Sequence, residues 1–378
     1  MKRSLTIACL ALVAGLGAGC ASTNDRPGEF LPGYARALAW SPDARHIIAL
    51  RAFNLVVHEA ATLKPLLTRE PVEKPLQMRL PAAAIAFAPD GKTLATAGFD
   101  GGVVLWDAAT WSQRSRFAGA EGATTLAFTP DGKALIVAGP DIALMVFDLL
   151  SGKPVATMVE APSGIMALTV SPDGSLLATG ERTRQVRLWQ LPGKEPYATV
   201  QGYVGPVLSV AYSPDGMLLA TAAGGREVRL LAAKSPDQAR KLIDPQNVTT
   251  EQASKESAAS ALVGVVSLIG MVRSIQLVGA PTVVPVAGIR YQEWPPLNCP
   301  LAFSADGRFL ATIHHSFDWS GDFQVEVYEV ASSTRISRYT GGISSLAFSP
   351  DGRRLAVSGI LGMILLDPLT GKEIRVER

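Results

Sequence analysis

Residues 313–322, IHHSFDWSGD, hold the densest set of chemistry-bearing side chains in the chain. His314, His315, Asp318 and Asp322 offer the imidazole and carboxylate atoms that hold a metal ion, and Trp319 offers an aromatic face to a ligand. The spacing argues against a joint site. Adjacent histidines on a strand point to opposite faces, so one ion does not reach both, and the stretch reads as a surface loop. Gly91-Lys92-Thr93 has the ending of a phosphate-binding loop, but the required upstream glycine is Ala86 and the triplet sits in a hairpin instead of at a helix start. No Gly-x-Ser-x-Gly elbow, His-Glu-x-x-His pair or paired-cysteine knuckle occurs. No catalytic, cofactor or metal site is assigned, and the chain reads as non-catalytic.

The elements that would position any site come from a repeated turn. Ser213-Pro214-Asp215-Gly216 is a hairpin turn: proline presets φ, aspartate bonds its own backbone, and glycine tolerates a left-handed exit. Val207–Tyr212 and Met217–Thr221 on either side are short, aliphatic and bounded by turn residues, as strands are. The turn recurs as SPDA (41–44), APDG (88–91), TPDG (129–132), SPDG (171–174), SPDG (213–216), SADG (304–307) and SPDG (349–352). Its aspartates are spaced by 47, 41, 42, 42, 91 and 45 residues, so five of six gaps share one period. A period of about 40 to 45 residues with four short strands per unit marks a propeller blade, because each sheet needs neighbours to bury its faces.

In "IAFAPDGKTLATAGFDGGVVLWD" (85–107), closing on Leu105-Trp106-Asp107, the chain closely resembles the WD-repeat family. "VSPDGSLLATGERTRQVRLWQ" (170–190) repeats the pattern with Gln190 in place of the aspartate, and elsewhere the pair reads His58-Glu59, Phe147-Asp148, Leu231-Ala232, Tyr328-Glu329 and Leu366-Asp367. The resemblance implies an all-β, seven-bladed WD-repeat-like β-propeller over 35–378. An apolar insert falls between blades five and six (236–290); eight blades is the alternative, since 91 is about twice the period. WD repeats usually carry a Gly-His pair whose histidine joins a hydrogen-bond network with the Trp-Asp element. Here the corresponding places read Gly119-Ala120, Gly202-Tyr203 and Gly341-Gly342, and none of His46, His58, His314 or His315 sits there. The polar network is therefore expected to be absent, leaving stability to apolar packing between sheets.

Composition narrows the class of partner. Without Lys2 and Arg3 of the leader, 33 basic residues face 33 acidic ones, so a nucleic-acid footprint is not indicated. Residues 1–20 have the layout of a secretory signal: Lys2 and Arg3, an apolar stretch from Leu5 to Leu16, then small residues before Cys20. Gly17-Ala18-Gly19-Cys20 resembles the lipobox of bacterial lipoproteins, with Gly17 where leucine is usual. The resemblance implies acylation of Cys20, a tether over 21–34 and, through Ala21, transfer to the outer membrane facing the periplasm; a soluble periplasmic protein is the alternative. With Cys9 in the leader and Cys20 acylated, Cys299 stands alone and no internal disulfide forms.

Within the insert, 234–257 is polar and loop-like, whereas 258–289 carries the single charge Arg273. That apolar segment is expected to pack on the propeller or to contact the membrane or a partner. The loops between second and third strands should gather on one face, making Asp100, Asp141, Arg182, Arg184, Arg226 and Glu227, with His314, His315, Asp318 and Trp319, the candidate partner-binding residues. The reading is an exported, lipid-anchored interaction platform of the bacterial envelope, bound to an envelope protein. The rivals are a lactonase- or dehydrogenase-like propeller enzyme and a small-ligand sensor using the central channel.

Overall fold

In the computed structural model, the residues described are 35, 37–51, 54–69, 83–98, 102–159, 164–193, 196–224, 227–241, 300–315, 323–341, 343–359 and 362–374. They form seven four-stranded antiparallel sheets, each made of four strands consecutive in sequence. The first strands of the blades are Ala37–Trp40, Ala83–Phe87, Thr125–Phe128, Ile165–Val170, Val207–Tyr212, Leu301–Phe303 and Ile343–Phe348. Each touches the first strand of the next blade, and the seventh touches the first, so the sheets close into a ring of seven. The seven-bladed propeller read from the turn period is the fold.

The apolar core is divided among the seams. Seven clusters of buried side chains each draw on two adjacent sheets. Between blades two and three, Phe117 and Phe147 stack with ring centroids 4.9 Å apart. Between blades three and four, Ile136 and Leu144 pack with Leu177 and Trp189. A sheet with two apolar faces is stable only when both are covered, which a closed ring supplies.

The recurrent turn is built by its side chains. The hydroxyl of Ser41, Thr129, Ser171, Ser213, Ser304 or Ser349 donates to the aspartate two residues on at 2.5 or 2.6 Å. In the blade-four turn, that aspartate accepts the N–H of Ser175 at 3.0 Å, while the Ser171 hydroxyl accepts the N–H of Leu176 at 2.9 Å. The turns also stack around the ring. A Cβ built on Gly91 would stand 3.1 Å from Pro42, one on Gly174 3.5 Å from Pro130, and one on Gly216 3.4 Å from Pro172. Each proline therefore lies against the glycine of the following blade.

Among the described residues, ring closure borrows no strand. Blade seven ends with its own outer strand, Glu373–Ile374, and blade one is made wholly of Ala37–Arg69. Side chains lock the seam instead. Ala35 donates its N–H to Ser358 Oγ at 3.2 Å, and its carbonyl accepts from Ser344 Oγ at 2.6 Å and Ser345 Oγ at 3.1 Å. Trp40 Nε1 donates to Ala347 O at 3.0 Å, and the Arg354 guanidinium lies 4.9 Å from the Trp40 ring centroid.

One boundary differs from the sequence reading. Ser235–Lys241, counted as loop and insert, forms the outer strand of blade five, with Leu230 opposite Arg240 and Leu231 opposite Ala239. The rest of 236–290, like 1–20 and 21–34, lies outside the described residues. Polar composition hid the strand because outer strands face water on one side.

The left-handed turn position gives a reciprocal prediction. Ala44 has φ 59° where the other turns have glycine, and Gly216 has φ 71°. Ala44→Gly should raise stability by up to about 1 kcal/mol, and Gly216→Ala should lower it by about 1–2 kcal/mol. Urea unfolding midpoints of the two variants check both signs.

Candidate functional site

Antiparallel strands in a closed ring sort the connections onto two ends. The first-to-second and third-to-fourth turns lie at one end. The second-to-third loops and the connections between blades lie at the other. The candidate residues belong to this second end. Asp141, Arg182 and Arg184 are exposed there. His314 and His315 both lie within the strand Phe309–His315, opposite Gln324 and Phe323. Asp100, Arg226, Asp318, Trp319 and Cys20 fall outside the described residues.

Glu227 is placed differently from the loop position read for it. It begins the third strand of blade five and is fully buried. Arg229 Nε donates to Glu227 Oε1 at 2.8 Å, and Val204 N donates to Glu227 Oε2 at 2.9 Å. Arg229 also donates to the carbonyls of Gln201 and Gly202, and lies 4.0 Å from the Tyr203 ring centroid. The pair thus ties the loop arriving from blade four to blade five. Its carboxylate is consumed inside the fold.

The neighbouring blades also bury a glutamate against arginine, but there the arginine side chains stay partly exposed. In blade four, Arg187 Nε stands 3.3 Å from Glu181 Oε1, while Thr183 Oγ1 and Gln185 Nε2 donate to Glu181 Oε2 at 3.0 and 2.7 Å. In blade six, Glu326 accepts from Arg335, Arg338 and the Tyr328 hydroxyl, all within 3.0 Å. The sequence reading placed Glu227 among the loop charges and did not single out Glu181 or Glu326, because charge alone does not signal burial. For Glu227 the available signal was an arginine two residues on along an otherwise apolar strand, Glu227-Val228-Arg229; Glu181 and Glu326 pair with arginines six to twelve residues away.

The expected absence of a polar network is corrected in part. Trp106 Nε1 donates to Thr96 Oγ1 at 2.9 Å, and Trp189 Nε1 to Thr179 Oγ1 at 3.1 Å. Blade five has Leu231 instead of tryptophan, and the Tyr203 hydroxyl reaches Thr221 Oγ1 at 2.9 Å from the incoming loop. In blade six Tyr328 spends its hydroxyl on Glu326, and Thr312 Oγ1 is buried without a partner.

The acid of the Trp-Asp pair also keeps a structural task. Asp107 Oδ1 accepts the N–H of Ala109 and Thr110, both at 2.9 Å, and Asp148 Oδ1 accepts the N–H and hydroxyl of Ser151. Glu59, Glu329 and Asp367 cap the same third-to-fourth turn through Thr62, Ser332 and Leu369. The fifth residue of each, Leu63, Trp111, Gly152, Ser333 or Gly371, has positive φ. The Thr110 N–H, followed by the Arg114 side chain, lowers Asp107 to about 2; the Ser171 hydroxyl, followed by the Ser175 N–H, lowers Asp173 to about 2.

Among the described residues, no three of His, Cys, Asp and Glu stand close enough to hold a metal ion. The geometry supports recognition by exposed side chains on a braced frame. The profile of the WD40 family (WD domain, G-beta repeat) matches residues 82–107, 152–190, 194–230 and 332–365. Three of these segments run from the outer strand of one blade through the third strand of the next, crossing a seam. The chain is an all-β, seven-bladed propeller with WD40 repeats, a fold typical of protein-interaction scaffolds. No curated relative matches it.

One substitution at two equivalent threonines should act with opposite signs. Thr179→Val leaves the Trp189 N–H without an acceptor and should cost about 1–3 kcal/mol, whereas Thr312→Val removes an orphaned hydroxyl and should be neutral or stabilising. Thermal unfolding of the pair checks this.

His58 gives a pH prediction. Its Nδ1–H donates to Leu63 O at 2.9 Å, its Nε2 is buried without a partner, and burial lowers its pKa from 6.5. Since the unfolded chain binds this proton more tightly, its contribution is complete above about pH 6.5 and is lost as pH falls through the lower folded value. The turn aspartates are shifted below 3.8, so their contributions begin to be lost only below about that pH. Between pH 6.5 and 5, stability should fall by at most about 1.4 kcal/mol per unit from His58, and His58→Asn should remove that slope in chemical denaturation.

Proposed function

We propose that the chain is a non-catalytic protein-interaction platform, exported to the bacterial cell envelope and anchored there by a lipid on Cys20. WD40 domains generally mediate protein-protein interactions. The observation that carries the reading is the division of polar groups in the ring. The buried carboxylates of Glu181, Glu227 and Glu326 are consumed in ion pairs within the chain, while Asp141, Arg182 and Arg184 are exposed on their loops. A rigid frame with exposed, variable loops recognises a partner at little ordering cost.

Support for export comes from the leader: two cations, an apolar run too short to span a bilayer comfortably, and a lipobox-like Gly17-Ala18-Gly19-Cys20. In this reading residues 21–34 tether the propeller to the outer membrane on its periplasmic side. The partner is another envelope protein.

Metabolic labelling with radioactive palmitate should mark the wild-type chain and leave Cys20→Ser unmarked; equal label in both would end the lipid-anchor reading. Cross-linking with mass spectrometry in intact envelopes should return a recurrent partner joined to the loop-bearing end of the ring. Self-links alone, at adequate yield, would end the platform reading.

A further inference from the structure

Among the described loops of the recognition end, the hairpin between the second and third strands of blade four has an unusual charge arrangement. Its sequence is Glu181-Arg182-Thr183-Arg184-Gln185, and Arg187 follows on the third strand. The one acid points inward. Glu181 is fully buried, facing Arg187 at 3.3 Å and accepting from Thr183 and Gln185. Arg182 and Arg184 point outward, with no carboxylate in ion-pair reach among the described residues. The hairpin therefore neutralises one arginine internally and presents two.

Those two arginines are held by a rigid backbone. Glu181 N donates to Gln185 O at 3.0 Å and Arg184 N to Glu181 O at 3.2 Å, closing a tight turn. Arg184 occupies the left-handed region at φ 65°, uncommon for a residue with a Cβ, and its neighbours Thr183 and Gln185 on either side bond the buried Glu181 carboxylate. Arg182 N donates to Gly164 O at 2.9 Å, fixing the hairpin to the strand entering the same blade. A Cβ on Gly164 would stand 3.5 Å from Arg182 Nε, so the arginine side chain lies over that glycine. On the blade-five side, a Cβ on Gly180 would stand 2.8 Å from Val207 Cγ1, so the end of the hairpin is packed against the next sheet.

We infer that the Glu181–Gln185 hairpin is a docking point for an acidic protein segment, whose carboxylates are gripped by Arg182 and Arg184. The inference deepens the platform reading and rests on it for the existence of a protein partner. Planar guanidinium forks match carboxylates bidentately, and fixing them beforehand reduces the ordering cost of each contact. Asp141, exposed on the blade-three loop, is the neighbouring acid that would set the edge of the patch by repelling a like charge. Two cations are too few for membrane recruitment, which takes clusters of about four to eight. That count favours a protein partner over a lipid surface.

The test uses the full chain and fluorescein-labelled hexaglutamate, followed by anisotropy at low and moderate salt, with hexaglutamine as the neutral control. Arg182→Ala with Arg184→Ala should weaken hexaglutamate binding by about tenfold or more. Arg45→Ala with Arg353→Ala removes two exposed arginines from the turns at the opposite end and should leave binding within about twofold, as expected for sites that do not couple. Equal loss in both double variants would show diffuse charge and overturn the inference, as would absence of measurable wild-type binding. Binding to phosphatidylglycerol vesicles that depends on Arg182 and Arg184, without hexaglutamate binding, would overturn it in favour of a membrane. Cross-linking in the envelope separates the two readings: a recurrent partner retained in the Arg182/Arg184 variant sinks the acidic-segment inference alone, and loss of every partner in the wild type sinks the platform.

Discussion

A four-stranded sheet with apolar side chains on both faces cannot hide them within itself, and every other feature of this chain follows from that constraint. Each blade solves it by packing against two neighbours, so the core is seven seams in a circle. Opening one seam uncovers two faces at once. The seam between blade one and blade seven joins sheets that are not consecutive in sequence. There Ala35 is held by three serine side chains of blade seven, and Trp40 bonds across to Ala347. Hydrogen bonds do the work that a shared strand would otherwise do.

Apolar seams specify that sheets stack, but dispersion and burial are weakly directional and leave register to be fixed by other means. Polar groups at the ends of the seams supply it. Arg229 joins Glu227 to two carbonyls of the loop from blade four, and its removal would leave a buried, uncompensated carboxylate. At the other end, the Pro-on-Gly stacking of successive turns sets how closely the sheets approach. The two ends are thus built by different chemistry. One end is pinned by compact, repeated turns; the other is pinned by a few individual ion pairs and otherwise left to loops.

That difference explains what was legible in the sequence. Ser-Pro-Asp-Gly announced itself because the turn's geometry admits few residues, and the same hydroxyl, carboxylate and left-handed position recur at a fixed period. The companion turn after Glu59, Asp107, Asp148, Glu329 and Asp367 was as regular but less visible, since its left-handed place accepts leucine, tryptophan, serine and glycine alike. Reading the Trp-Asp pair as a unit hid the point that its two halves do separate jobs. The acid caps a turn, while the aromatic N–H seeks a threonine. Blade five keeps its threonine satisfied by Tyr203, a residue 18 positions away and contributed by another element. Substitution across a seam leaves no local pattern to read.

The candidate site divides along the same line. Arg182 and Glu181 are adjacent in sequence and look alike as loop charges, yet one faces water and the other is sealed under the hairpin. The outcome turns on alternation: Glu181 ends the second strand with its side chain committed to the seam side, and the chain then leaves the sheet. Sequence sees the charges; only the register tells which are available. Once register is known, the exposed charges carry more information than their number suggests, because each is anchored to a frame whose buried acids already face arginines. The few outward side chains at this end of the ring are free to change without disturbing the seams that hold them in place.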